Sequence, residues 1–455
     1  MTVVDRPEGR VARRRRRATA VVVVLAGAAA CAGADASYLH RLDPVWLVAG
    51  WLVFGAVTVA LATSRPSRSV PVIVLAATLV QVPGLCWPPQ LSTDAYRYVW
   101  DGRVQLSGTS PYRMVPLDDR LAGLRDPVLF PALRPDERTR VGRLPRPGEP
   151  GVTEYDERSR INRPRVPTIY PPVAQLWFAG VAAVTPWSAG TFGVQLAAAV
   201  VAVATTALLA VALRRRGRRP ALALVYGLCP AVALEAANNA HLELLVTLLV
   251  VAAVVTVRRR LLSGLLLGLA IATKVVPLLL LPALRTGLRG RLATAGTVLA
   301  SYLPHLLVTG WLVLGYLPGY LDEEGFESGR DRYAVLALLL PRPALAPVAL
   351  CLGVALAVLA WRRAERDGAA VTATWLFGAA VLLGTPTYPW YTLPLLGLVV
   401  LAGRWEWLAV VPAAYGAYAA YDDPGRISAW YAAAAVVVAA AAVVRQHSAC
   451  RAATF

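Results

Sequence analysis

Charge is scarce in this sequence. Only 16% of its 455 residues are Asp, Glu, Lys or Arg, whereas 57% are hydrophobic and the mean hydropathy is +0.53. That balance excludes an ordinary soluble globular protein and puts the chain in the membrane class. Lysine is scarcer still: Lys274 stands alone against 45 arginines. This usage looks like a GC-rich genome in which Arg replaces Lys wherever either cation serves, so the one lysine kept is a candidate for a requirement of shape. Cysteines are few and far apart. Cys31, Cys86, Cys229, Cys351 and Cys450 form no CxxC pair, and neither a disulfide framework nor a zinc site is indicated. No internal repeat of the kind that builds many transporters from two similar halves is visible.

What is present is a set of apolar stretches punctuated by arginine. A formal charge of +19 would suggest nucleic acid in a soluble protein. Here the arginines cluster in short runs beside apolar segments, which is topology signalling, and no nucleic-acid partner is expected. The run Arg13 to Arg17 ahead of an apolar stretch from Ala18 reads as a retained anchor, because more apolar segments follow.

Segments near 18–36, 44–63, 70–88, 190–213, 219–236, 242–257, 292–314, 343–361, 369–385, 388–403, 405–421 and 427–444 approach the roughly 20 residues that cross about 30 Å of hydrocarbon. The expected fold class is an all-α polytopic membrane protein. It would have about 12 transmembrane helices, re-entrant or interfacial helices, and one large extracytoplasmic loop. Short basic loops at Arg13–Arg17, Arg65 and Arg68, Arg214–Arg219, Arg258–Arg260, Arg285–Arg291, Arg362–Arg366 and Arg404 fall on one face, the cytoplasmic one by the positive-inside rule. The long loop is also Arg-rich, but the rule governs short loops.

The expected organisation is a cytoplasmic N-terminus over 1–17, helices 1–3 over 18–88, and an extracytoplasmic catalytic loop with interfacial helices over 89–189. Helices 4–12 follow over 190–444, then a cytoplasmic tail over 445–455. Residues 171–187 read as an interfacial or re-entrant helix. Residues 261–284, with Pro277 and Pro282, read as a short helix, a break and a second short helix, a hairpin holding Lys274 at membrane depth.

In this orientation the unusual polar motifs collect on the outer face. Directly after the third span come Asp94, Arg97, Asp101 and Arg103 with interleaved aromatics; a helix here sets Asp94, Arg97 and Asp101 on one face. A carboxylate beside guanidinium groups at the water–lipid boundary suits removal of a hydroxyl proton while a lipid phosphate departs. The plain alternative is a helix cap with surface ion pairs.

Tyr170 and Gln175 flank a Pro-rich return to the membrane, as a sugar pocket or as an interfacial anchor. Glu235, Asn238, Asn239, His241 and Glu243 crowd one turn between apolar helices, either for substrate binding or as a solvated hairpin tip; metal spacing is weakly specific there. Lys274 is an intramembrane cation suited to a phosphate head group, unless it snorkels to the interface. The outer face is completed by the acidic loop 315–332, with Asp322, Glu323, Glu324 and Asp331, and by the aromatic turn Tyr388, Trp390 and Tyr391.

The stretches Asp94 to Gly102, Pro111-Tyr112, Ile169 to Gln175, Lys274-Val275-Val276-Pro277 and Pro389-Trp390-Tyr391 resemble, in order, the GT-C glycosyltransferases. More narrowly they are similar to family 87 and the actinobacterial alpha-mannosyltransferase branch. The resemblance implies a GT-C-like bundle in the plasma membrane with its active site on the extracytoplasmic side. It implies a polyprenyl-phosphate sugar donor, mannose by resemblance alone, and a glycolipid or cell-envelope glycan acceptor among membrane lipids.

It also implies an acidic general base in the first outer loop, at Asp94 first and Asp101 second. Substrate-binding roles then fall to Arg97, Arg103, Tyr170, Gln175, His241, Glu243, Lys274 and Trp390. Related sequences often pair two aspartates where this one has Thr93-Asp94, which puts a metal-bridging role in doubt; no cofactor is expected. Inversion would follow, with protein cations taking the charge of the departing phosphate. A lipid-linked-sugar flippase, or a non-catalytic envelope-glycan assembly protein, is the competing reading; the former would not need a loop of this length carrying Asp94 and Asp101.

Overall fold

The computed structural model describes residues 7–63, 69–131, 158–325, 332–386 and 388–453, with backbone only for 7–17 and 448–453. Arg65, Arg68, Thr387, Asp331 and the middle of the long loop lie outside the described residues, as do the side chains of Arg13 to Arg17.

Among the described residues the chain is helical and has no strand. Helices α1 (Pro7–Arg41), α2 (Pro44–Thr63) and α3 (Val70–Leu85) lead to α4 (Asp94–Leu106), which packs on α5 (Pro172–Val184). Then come α6 (Phe192–Arg215), two short pieces α7 (Leu224–Gly227) and α8 (Pro230–Ala233), α9 (Glu243–Val255) and α10 (Arg260–Thr273). The remainder is α11 (Leu281–Leu284), α12 (Gly287–Thr309), α13 (Leu317–Glu323), α14 (Arg342–Asp367), α15 (Ala369–Gly384), α16 (Leu393–Ala402), α17 (Val410–Ala419) and α18 (Pro424–Ala453).

By length and composition six of the described helical segments can cross a membrane, or seven if Pro220–Gly227 and Pro230–Asn238, bent by 61°, count as one. The bend has a local cause: Pro230 keeps Cys229 extended, at φ −66° and ψ 129°, so the helix cannot run through. Six further apolar helices have 10–17 residues. At about 1.5 Å per residue they reach about 15–26 Å, short of the hydrocarbon thickness, so a count of twelve depends on adding these shorter pieces. α5 is one of them. The helix, break and helix expected over 261–284 are present: α10 stops at an extended Lys274 (φ −156°, ψ 136°), and Pro277 opens the next turn.

The exterior is apolar. In the spanning windows of α2 and α14 only 17% of residues are buried, and Leu307, Trp311 and Leu350 are more than two-thirds exposed. A surface of this kind is at rest in lipid rather than water. α6, with 56% of its window buried, is the central strut.

Two apolar cores lie side by side. The larger joins α1, α3, α6, α9, α10 and α15 to α17. The smaller joins α4 and α5 to loop residues Leu117, Leu121, Leu129, Phe130 and Ile161, and takes in Ala240 and Leu242 from the stretch before α9. That stretch carries His241 and Glu243, so the junction of the two cores is where polar groups meet.

Candidate active site

Two distant pieces of chain, those carrying Asn162 and His241, converge on Asp94, the first residue of α4. Its backbone N–H donates to Ser92 Oγ at 3.2 Å, and its own side chain makes no cap; instead Oδ1 accepts from the Asn162 amide and Oδ2 lies 3.7 Å from His241 Nε2. The carboxylate therefore turns inward, away from the capping role.

His241 comes from the most constrained backbone in the site. Residues Leu234–Asn238 form a π-turn, a form that recurs at functional sites, and Ala240 has a left-handed φ of +58°. This geometry delivers five polar groups inward: Glu235, Asn238 and Asn239 have no exposed surface, and His241 and Glu243 have 1% and 2%. The solvated hairpin tip is thereby excluded.

Each member of the turn is used. Asn238 and Asn239 accept the backbone N–H groups of Gln90 and Leu91, both at 3.0 Å, and fix the segment that enters α4. Gly84 permits this closeness, since a Cβ there would stand 2.7 Å from Ala237 Cβ and 2.8 Å from Asn238 N. Glu235 Oε2 contacts His241 Nδ1 at 2.7 Å and accepts from Asn239 Nδ2 at 3.2 Å, while Oε1 accepts from the Tyr415 hydroxyl.

Lys274, extended at the end of α10, donates to Glu243 Oε1 and sits 4.2 Å above the Tyr391 ring. Trp390 stacks on His241 at 3.9 Å, and Tyr388 stacks on Trp390 at 4.6 Å. The Tyr391 and Tyr320 hydroxyls are 2.9 Å apart, and Arg163, which pairs with Glu323 at 2.8 Å, lies over the Tyr320 ring. The result is a carboxylate, an imidazole and a Lys–Glu pair against an aromatic wall. Two atoms of this group, His241 Nε2 and Glu243 Oε2, are buried and have no hydrogen-bond partner among the described residues.

Burial alone would lower the His241 pKa, but the hydrogen bond and charge of Glu235, followed by the charges of Asp94 and Glu243, outweigh it and raise the value above that of an ordinary imidazole. Tyr170 is pushed well up, by burial first and then by the negative charge of Asp94.

Residues 168–387 match the model of glycosyltransferase family 87. The matched region, just under half of the chain, is consistent with a GT-C-type enzyme and supports a membrane glycosyltransferase. It contains Tyr170, Gln175, His241, Glu243 and Lys274; Asp94 precedes it and Trp390 follows it. No curated protein and no solved structure matches the chain.

The other sequence candidates on α4 have different surroundings. Asp101 is fully buried two turns beyond Asp94. It accepts from Arg97 Nε at 2.9 Å, Thr168 Oγ1 at 2.6 Å and Gln175 Nε2 at 3.0 Å. Arg97 also donates to the carbonyls of Arg163 and Val166, both at 3.2 Å, so Arg97, Asp101 and Gln175 form a clamp that ties α4, the returning loop and α5 together. Arg103 leaves α4 on the side opposite Asp94, pairs with Asp126, and lies 4.6 Å over the Trp187 ring.

Sequence reasoning passed over Tyr415 and Tyr418, the latter donating to the Leu91 carbonyl at 3.0 Å. Their signal was available: three tyrosines at 415, 418 and 421 in an otherwise apolar stretch.

Proposed function

We propose that this membrane glycosyltransferase moves a sugar, mannose by family resemblance, from a polyprenyl-phosphate donor to a hydroxyl of a glycolipid or cell-envelope glycan. The reaction would run on the extracytoplasmic side of the plasma membrane. Asp94 is the general base. The observation that carries this reading is the carboxylate of Asp94 3.7 Å from His241 in a buried polar cluster walled by Trp390 and Tyr388, with Lys274 paired to Glu243 of the same cluster.

The chemistry fits the groups. Pyranose faces pack against indole and phenol rings, and a hydroxyl between Asp94 and His241 can give its proton to the carboxylate. The acceptor oxygen attacks the anomeric carbon from the side opposite the departing phosphate, which gives inversion. Lys274 is the cation offered to the charge that develops there. Arg97 and Arg103, bound to Asp101 and Asp126, hold the architecture and contribute no contact in this scheme.

Transfer of radiolabelled mannose from polyprenyl-phosphate mannose, in membranes containing wild type or Asp94→Asn at matched protein level, tests the reading. Wild-type transfer lost by at least about a hundredfold in Asp94→Asn is expected for removal of a general base. Transfer that persists in Asp94→Asn removes Asp94 from that role.

A further inference from the structure

Glu235 lies behind His241, yet both of its carboxylate oxygens are engaged. Three polar groups converge on it: the Tyr415 hydroxyl and Asn239 Nδ2 donate, and His241 Nδ1 lies 2.7 Å away. A carboxylate oxygen 2.7 Å from Nδ1 is placed to hold the proton on that nitrogen of its histidine. The variable position of the imidazole is then Nε2, which has no hydrogen-bond partner among the described residues and lies 3.7 Å from Asp94 Oδ2.

We propose that Glu235 is a positioning residue acting through His241: by keeping Nδ1 protonated it leaves Nε2 as the atom that takes from Asp94 the proton released by the acceptor hydroxyl. The inference rests on the glycosyl-transfer reading and adds to it. As the acceptor oxygen bonds to the anomeric carbon, the bond from that carbon to the phosphate oxygen breaks and its electron pair leaves on the phosphate. The acceptor proton passes to Asp94 Oδ2 and then to Nε2, which restores the carboxylate and creates an imidazolium. That proton returns to water as product departs.

The gap from Asp94 exceeds a hydrogen bond by less than about 1 Å, a distance that closes on ligation at many acid–base sites. The surroundings favour the cation. Glu235 faces the ring from the π-turn, Asp94 from α4 and Glu243 from α9, with Lys274 beyond Glu243 and paired to it, and the Trp390 indole covers the ring face. The raised pKa of His241 agrees with this arrangement.

The test is a titration of the full-length protein in nanodiscs, with 15N-labelled histidine read by NMR and the His241 signals assigned through His241→Gln; only four histidines are present. In wild type Nε2 should gain its proton above the pH typical of free imidazole. Glu235→Gln should lower that midpoint by about one unit or more, a tenfold loss of proton affinity. Tyr415→Phe should raise it, because Glu235 then leans harder on His241.

In the transfer assay, activity should fall as pH drops through the His241 pKa, since an Nε2 that already holds a proton cannot accept one. Glu235→Gln should move that acid limb to lower pH and lower the plateau about tenfold, whereas a purely structural role would leave the limb where it is. A His241 titration unmoved by both variants, or an Nε2 that stays protonated from about pH 5 to 9, overturns the inference. Wild-type protein without transfer activity would sink the reaction reading instead, while the titration still decides whether Glu235 governs the proton on Nε2.

Discussion

Replacing Lys274 by methionine removes one charge from a buried pair and leaves the other behind. Glu243 is 2% exposed; its Oε1 accepts from Lys274 and its Oε2 has no hydrogen-bond partner among the described residues. Lys274→Met therefore strands a carboxylate whose one side-chain partner has gone. Breaking a buried pair in this way costs about 3–5 kcal/mol, and because the Lys274 side chain is 21% exposed the lower end applies, about a hundredfold in the folding equilibrium. Adding Glu243→Gln removes the stranded charge, so the double variant should recover most of the loss, with a coupling of about 2 kcal/mol or more across the cycle. Unfolding by SDS titration in mixed micelles, followed by tryptophan fluorescence, measures all four proteins. Lys274→Arg supplies the charge without the compact ammonium that stands 4.2 Å over Tyr391, and should not restore transfer activity. A single-variant cost under about 1 kcal/mol, or an additive cycle, would refute the reasoning.

Two other outcomes follow from the packing. Asp101→Asn turns an acceptor into a donor facing Thr168 and Gln175 and unpairs Arg97, so it should cost about 3–5 kcal/mol by the same unfolding measurement, whereas the more open Asp94→Asn should remain close to wild type in stability. Gly84→Ala puts a methyl 2.7 Å from Ala237 Cβ and should cost about 1–3 kcal/mol, with a parallel loss of transfer because Asn238 can no longer hold Gln90 in place.

The elements themselves were legible in the sequence: every expected span meets a helix or a helix pair, and the break at Lys274 falls where the prolines put it. Periodicity also set Asp94 and Asp101 on one face of α4. What periodicity could not show is that a face has a top and a bottom. Two turns separate those carboxylates by about 10 Å along the axis, enough to put Asp94 at the polar cluster and Asp101 inside the clamp with Arg97 and Gln175.

Arg103 meets Asp126 and Trp187 for a related reason, because proximity in sequence to Asp94 still leaves it on the opposite side of the helix. The crowding of Glu235 to Glu243 was visible as an anomaly. Its burial was not, since a polar tip between two apolar stretches has the same pattern whether it faces water or is folded inward by a π-turn. Tyr415 was missed because its partner, Glu235, is 180 residues away.

The economy of the cluster explains why it can exist inside an apolar bundle. Asn238, Asn239 and Glu235 are fully buried and all their acceptor oxygens are engaged by backbone or side-chain donors, so their burial costs little. His241 Nε2 and Glu243 Oε2 are the exceptions, one able to donate or accept and the other to accept. An unsatisfied buried group costs about 1–3 kcal/mol, and a ligand bearing hydroxyls at the right places recovers that cost. An apolar lipid chain entering the same space would leave both atoms orphaned. Under the proposed reaction, a polyhydroxylated head group would meet both atoms and the tail that carries it would not.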